Sequence, residues 1–173
     1  NSDYHVNINM QMNYWPAEIL NLADCHEPFF TFLEGLVPSG RKTAQEMYGA
    51  SGFTVHHTTD AWKFTTGFGK PNYGMWPMAG GWIGSHFWEH YLYGGDKSFL
   101  RDRAYPFMKE AAEFYLDYLS VHPETGLLVS GPSISPENRF IAPDGYSAAV
   151  CMGPAMDHQI IHENFTACIE ASR

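Results

Sequence analysis

Apolar residues recur three and four positions apart from Leu100 onward. Ala104, Phe107, Met108, Ala111, Tyr115, Tyr118 and Leu119 fall on one face, the spacing of a helix that buries one stripe. Asp96 stands where its N-cap would, and His122-Pro123 stops it. Pro106 lies inside the pattern and either kinks the helix or opens a second segment, because proline has no N–H for the ladder. Ile161, Phe165, Cys168 and Ile169 repeat the pattern, with His158, His162, Glu163 and Glu170 largely off the stripe, so a second core-facing helix is predicted there. Shorter helices are predicted over 27–37 with Pro28 in the first turn, over 42–48 ending at Gly49, and over 82–93 closed by Gly94-Gly95. In the body of the chain, alternation of the strand kind is confined to 127–129. The expectation is an all-α domain with long loops.

Those loops, 3–15, 51–78 and 131–154, are rich in Asn, His, Thr, Trp, Gly and Pro and are too long to be simple connections. Long segments held by helices usually bind something. Across 173 residues, 45% hydrophobic and 16% aromatic content supplies a core and argues against disorder. Ten Lys and Arg against nineteen Asp and Glu leave a net charge of −9, so neither nucleic acid nor an anionic membrane surface is expected as a partner. No apolar run approaches the roughly 18 residues of a membrane span, and membrane insertion is not expected. Cys25, Cys151 and Cys168 are odd in number, well separated and without a CxxC pair, which argues against disulfides or structural zinc; they read as small buried hydrophobes. Asn1 is not an initiating Met and Arg173 falls inside a predicted helix, so the chain is expected to be cut from something longer.

Four constellations carry chemistry. Alternation from Tyr4 to Asn13 sends His5, Asn7, Asn9 and Gln11 to one side of an extended segment and Val6, Ile8, Met10 and Met12 to the other. The amides could hold hydroxyls or orient a water, or the segment could be an edge strand with a solvated face. In Ser130-Gly131-Pro132-Ser133-Ile134-Ser135-Pro136-Glu137-Asn138 two prolines stiffen a turn that presents Glu137, either as a proton donor or as a solvated turn residue. His56-His57-Thr58-Thr59-Asp60-Ala61-Trp62, followed by Trp76 and Trp82, mixes aromatic faces with hydroxyl-gripping groups, as carbohydrate clefts do; a metal site or plain packing would also fit. Adjacent histidines on a strand point apart and seldom share an ion. His86-Phe87-Trp88-Glu89-His90 fits H-x-x-E-H, in which two His bind zinc and Glu activates its water, but the short motif arises easily by chance and its aromatic setting suggests packing. Asn164-Phe165-Thr166 is a glycosylation sequon placed mid-helix, where it is expected to be silent.

Taken together, Asn7-Ile8-Asn9-Met10-Gln11-Met12-Asn13-Tyr14-Trp15, His56-His57-Thr58-Thr59-Asp60-Ala61-Trp62, Met75-Trp76-Pro77-Met78, His86-Phe87-Trp88-Glu89-His90-Tyr91, Gly131-Pro132-Ser133-Ile134-Ser135-Pro136-Glu137-Asn138 and Met156-Asp157-His158-Gln159-Ile160-Ile161 resemble glycoside hydrolase family 95, the α-L-fucosidases. The stretches occur in the family's order along the whole chain. The resemblance implies an (α/α)6 toroid of the six-hairpin glycosidase type, of which residues 1–173 would supply about half, an N-terminal portion truncated at both ends. It implies an inverting hydrolase that removes terminal α-L-fucose, 1,2-linked for instance, from a fucosylated glycan, without a cofactor or catalytic metal, in an extracellular or periplasmic setting. By the same resemblance Glu137 is the general acid, and Asn7 and Asn9 orient the attacking water with an Asp that lies downstream and outside this chain. Such an acid must stay protonated near neutral pH. His5 matches a position where the family's fucosidases carry His and a galactose-preferring branch carries Thr, while His57, Asp60, Trp62 and Trp76 would line the pocket. His158 departs from the family pattern, where an apolar residue is expected. The alternatives are an α-L-galactosidase of the same family, a zinc hydrolase using His86, Glu89 and His90, and a sugar-binding domain without catalysis. Half a ring on its own is expected to be inactive and to expose apolar faces.

Overall fold

The computed structural model describes residues 3–173. Helices dominate: α1 (Asn9–Tyr14), α2 (Pro16–Ile19), α3 (Glu27–Glu34), α4 (Val37–Thr43), α5 (Pro71–Gly74), α6 (Ala79–Gly94), α7 (Lys97–Phe99), α8 (Tyr105–Tyr118) and α9 (Ala155–Ala171). A 3-10 turn covers Ala23–Cys25, and π-helical turns at Ala44–Tyr48 and Leu100–Ala104 extend α4 and join α7 to α8. Six two-residue strands form three antiparallel ladders: β1 (Tyr4–His5) with β2 (Thr58–Thr59), β3 (Ser120–Val121) with β4 (Leu128–Val129), and β5 (Phe140–Ile141) with β6 (Ser147–Ala148). The domain is helix-rich, as the periodicity predicts, and 127–129 does contain a strand. Among the described residues no helix is long and apolar enough to cross a membrane.

The long amphipathic segment starts as its pattern dictates, but α8 ends at Tyr118, before His122-Pro123, and Ser120–Val121 is strand β3. Asp96 Oδ1 accepts the backbone N–H of Ser98 at 2.8 Å and of Phe99 at 3.2 Å, which caps the start of α7. Pro106 falls in the first turn of α8, directly behind the π turn, so the wider turn takes up the missing N–H and the helix runs on. Phe107, Met108, Ala111 and Tyr115 are buried as expected, and α6, α8 and α9 pack against one another. Between α6 and α8 the approach is close: Gly81 N–H donates to Tyr115 Oη at 2.8 Å, and Tyr115 Oη donates to the Met78 carbonyl at 3.1 Å. A Cβ at Gly81 would run into that tyrosine.

Three expectations need correction. The segment 3–15 is not extended throughout, because only Tyr4–His5 is a strand and α1 begins at Asn9. In α9 the buried stripe runs through Asp157, Ile160, Ile161, Asn164 and Ala167, leaving Ile169 exposed. Asn164 donates to the Met108 carbonyl at 3.3 Å, so a polar residue sits on the face that apolar periodicity alone would assign elsewhere, and the sequon amide is buried. All three cysteines are free, but none is a buried hydrophobe: Cys25 is exposed, and Cys151 and Cys168 are half-buried. Helix limits also move: α3 ends at Glu34 and α4 opens at Val37, because Pro38 suits the first turn of a new helix better than the interior of an old one.

Candidate functional site

Glu137 is exposed, and it stands at the end of a loop that is fastened beneath it. Ser133 exchanges two backbone hydrogen bonds with Cys151 at 3.0 and 2.8 Å, Gly153 N–H donates to the Ser130 carbonyl at 2.7 Å, and Tyr118 Oη donates to the Pro132 carbonyl at 2.8 Å. Beyond Pro136, Asn138 N–H closes a turn on the Ser135 carbonyl at 2.6 Å. The β5–β6 hairpin follows, braced by Arg139 Nε donating to Ser147 Oγ at 2.7 Å.

The β1–β2 ladder brings the N-terminal segment to this loop. His5 pairs with Thr58, and Val6 N–H donates to the His57 carbonyl at 2.9 Å. The rings of His5 and His57 lie 6.3 Å apart. With Asp3, Asn72, Tyr73 and Glu137 they line a cleft of about 410 Å³. Thus Glu137 and two predicted pocket histidines, far apart in the chain, meet. The paired histidines do point apart. His56 is wholly buried, its Nδ1–H donating to the Thr65 carbonyl at 2.8 Å while Nε2 accepts from Tyr48 Oη at 2.6 Å, so it is structural. His57 faces the cleft, with Nδ1 lacking a hydrogen-bond partner among the described residues. Burial depresses its pKa, His5 adds to this, and Asp3 and Glu137 pull weakly the other way, so a neutral ring stands there near pH 7, able to bond a hydroxyl.

Asn7 is half-buried and Asn9 is exposed as the first residue of α1; neither is among the residues lining the cleft. Between them Ile8 adopts φ 79° and ψ −42°, a conformation that a β-branched residue takes up only under strain. Gln11, expected beside them, instead turns inward: it is fully buried and donates from Nε2 to the Val6 carbonyl at 2.6 Å.

Asp60 and Trp62 lie in an adjoining cleft of about 340 Å³ with Phe64 and Phe68, and Phe68 lines both clefts. Asp60 Oδ1 accepts the N–H of Trp62 at 2.9 Å and of Phe64 at 3.2 Å, shaping the turn that leaves the Trp62 indole 87% exposed. Trp76, expected in the pocket, is instead a core side chain, wholly buried and edge-on to Trp82 at 5.9 Å. Sequence reasoning did not single out Asp3, Asn72 or Tyr73. Only the richness of 51–78 in polar and aromatic residues hinted at the last two.

The H-x-x-E-H segment does not assemble as a zinc motif. His86 and His90 face α2 and α3 on one side of α6, whereas Glu89 is exposed and feels Glu163 of α9. Among the described residues, the side chains near enough to share an ion are Glu18, His26 and His90. Glu18 Oε1 accepts from His26 Nδ1 at 2.8 Å and from His90 Nδ1 at 2.7 Å, and His26 Nε2 lies 3.1 Å from His86 Nδ1. Zinc ligands at about 2.0–2.1 Å from a tetrahedral ion stand roughly 3.3 Å from each other. These contacts are shorter and have the geometry of hydrogen bonds joining α2, α3 and α6. Burial alone would raise the Glu18 carboxyl, but the two imidazole donors outweigh it and hold it below the ordinary carboxylate value.

The Glycosyl hydrolase family 95 catalytic domain matches residues 1–173. The chain is 43% identical over 169 residues to Alpha-L-fucosidase 2 of Arabidopsis thaliana, a match covering 97% of this chain and 20% of the relative. It is 34% identical over 140 residues to Probable alpha-fucosidase A of Aspergillus niger, covering 79% of this chain and 18% of that protein. The chain spans about one fifth of the length of these relatives. With the match running from end to end across both the histidine strand and the Glu137 loop, the chain belongs to the glycosyl hydrolase family 95 catalytic-domain family.

Proposed function

We propose that the protein carrying this chain is an exo-acting α-L-fucosidase that hydrolyses terminal, 1,2-linked fucose with inversion, and that residues 1–173 supply about half of an (α/α)6 toroid. The observation that carries the reading is the cleft in which Glu137, on its proline-stiffened loop, meets His5 and His57. Fucosidase names on the relatives support the substrate class. Glu137 donates its proton to the glycosidic oxygen as the C–O bond breaks. A water held by the Asn7 and Asn9 amides attacks the anomeric carbon from the opposite face and loses its proton to a carboxylate beyond this chain. A neutral His57 holds a sugar hydroxyl, and Trp62 with Phe68 offers an aromatic face to the neighbouring unit. The separation of donor and water follows the general logic of inversion, in which the two groups must leave room for that water. Secretion to an extracellular or periplasmic space belongs to the same proposal.

In the full-length protein Glu137→Gln should lower turnover of a 1,2-linked fucoside by about 10²–10⁴-fold, the range for losing a general acid, with an unchanged circular dichroism spectrum. Undiminished turnover would overturn the assignment. The first product seen by proton NMR should be β-L-fucose, and α-L-fucose appearing first would exclude inversion.

A further inference from the structure

We infer that Asp157 is a positioning residue for Glu137: its buried carboxylate fastens the base of the loop 130–137, so placement of the proton donor depends on it. The inference rests on Glu137 being the proton donor proposed above.

Asp157 has no solvent exposure and lies in the first turn of α9, where the helix N-terminus favours a negative charge. Ser130 Oγ donates to its Oδ2 at 2.8 Å. The Ser133 hydroxyl and the Trp76 indole N–H lie near the same carboxylate and act on its titration, and neither makes a hydrogen bond among the described residues. Ser130, Ser133 and Trp76 are all fully buried. Burial pushes the Asp157 pKa up to about 6, against the pull of Ser133, Ser130 and Trp76.

A buried carboxylate is costly, and an apolar contact could join a loop to a helix at least as well. What the carboxylate adds is direction, because hydrogen bonds fix angles that apolar packing leaves free. Its donor Ser130 and the neighbouring Ser133 flank Gly131-Pro132 on the loop that carries Glu137, and Pro136 stiffens the remainder. At Gly131 the loop runs close against Met152, with no room for a side chain. Tilt at Asp157 is therefore passed to Glu137. The buried Trp76, which the family resemblance placed in a sugar pocket, lies instead near this carboxylate.

The test uses the full-length protein, two substrates and three variants. Asp157→Asn keeps the shape but replaces the carboxylate that accepts from the Ser130 hydroxyl with an amide. On a fucosyl-galactose, whose leaving group needs a proton, kcat should fall about 10–100-fold, the scale of a small misplacement of a catalytic group. On a 2,4-dinitrophenyl fucoside, whose leaving group needs none, it should fall less than about threefold, with KM unchanged on both. Equal losses on the two substrates, or no loss, overturn the inference, because a merely structural residue would not tell leaving groups apart. Should Asp157→Asn fail to fold, Ser130→Ala removes the donor to Asp157 and should show the same asymmetry at smaller scale; equal effects there overturn it too. Glu137→Gln separates the two levels. If it shows the asymmetry and Asp157→Asn does not, only the positioning role falls. If Glu137→Gln lowers both substrates equally, the proton-donor reading falls and the inference with it.

Discussion

Ile8 shows what a single residue can hold. Its side chain is 41% exposed and its φ is 79°, so the backbone is strained where little burial compensates for it. Strain of this kind amounts to about 1–3 kcal/mol and persists only where the surroundings enforce it. Here the enforcement comes from Val6, which is anchored to His57 on one side and to Gln11 on the other. Ile8→Gly removes the strain, and the added freedom of glycine in the unfolded chain offsets it by about 0.5–1 kcal/mol. The denaturation midpoint should therefore stay level or rise, while turnover of the full-length protein should fall on the proposal that Asn7 and Asn9 together hold the attacking water. A clear drop in the midpoint would mean that the residue is not strained. The alternation of polar and apolar residues through this segment suggested a plain strand. A helix start at Asn9 and an inward Gln11 could not be seen in it, because the competing hydrogen bond to Val6 is a tertiary contact.

At the level of elements, legibility followed the strength of the apolar repeat. The helix from Lys97 to Tyr118 was readable down to its Asp96 cap, since seven apolar positions on one face leave few alternatives. The α9 stripe was misread by one position because Asn164 and Asp157, both polar, occupy core positions that only partners on α8 and the 130–133 loop can satisfy. Close contact of α6 and α8 was hidden for another reason: glycine at Gly81 carries no pattern of its own. Gly81→Ala would press a methyl group on Tyr115 and break its link to Met78, and should destabilise the chain by about 1–3 kcal/mol in urea unfolding. A loss below about 0.5 kcal/mol would show that the helices are not so tightly joined.

For the molecule as a whole, buried histidines set the response to acid. Burial lowers the pKa of His56 to about 4 and, with His26 nearby, that of His86 to about 3, from an ordinary 6.5. Below pH 6.5 the unfolded chain takes up protons that the folded one refuses, so the stability present above that pH is lost as pH falls through 4 and 3. Asp157 acts in the opposite sense: raised to about 6, it favours the fold below its unfolded value of 3.8 and loses that contribution as pH rises through 6. Two histidines against one carboxyl leave the net slope positive between pH 4 and 6. The urea midpoint should be lower at pH 5 than at pH 7.5, and His56→Gln should flatten the difference. A higher midpoint at pH 5 would contradict this assignment.

Periodicity, caps and proline positions determined on their own that the chain is helix-rich with long loops, and the ordered set of loop motifs was enough to point to its family, because both are local properties written in consecutive residues. The meeting of Glu137 with His5 and His57, the withdrawal of Trp76 into the core and the hydrogen bond from Ser130 to Asp157 were decided only by tertiary structure. Each joins residues dozens of positions apart, and whether a polar side chain faces a cleft or a buried partner depends on what the rest of the fold brings to it.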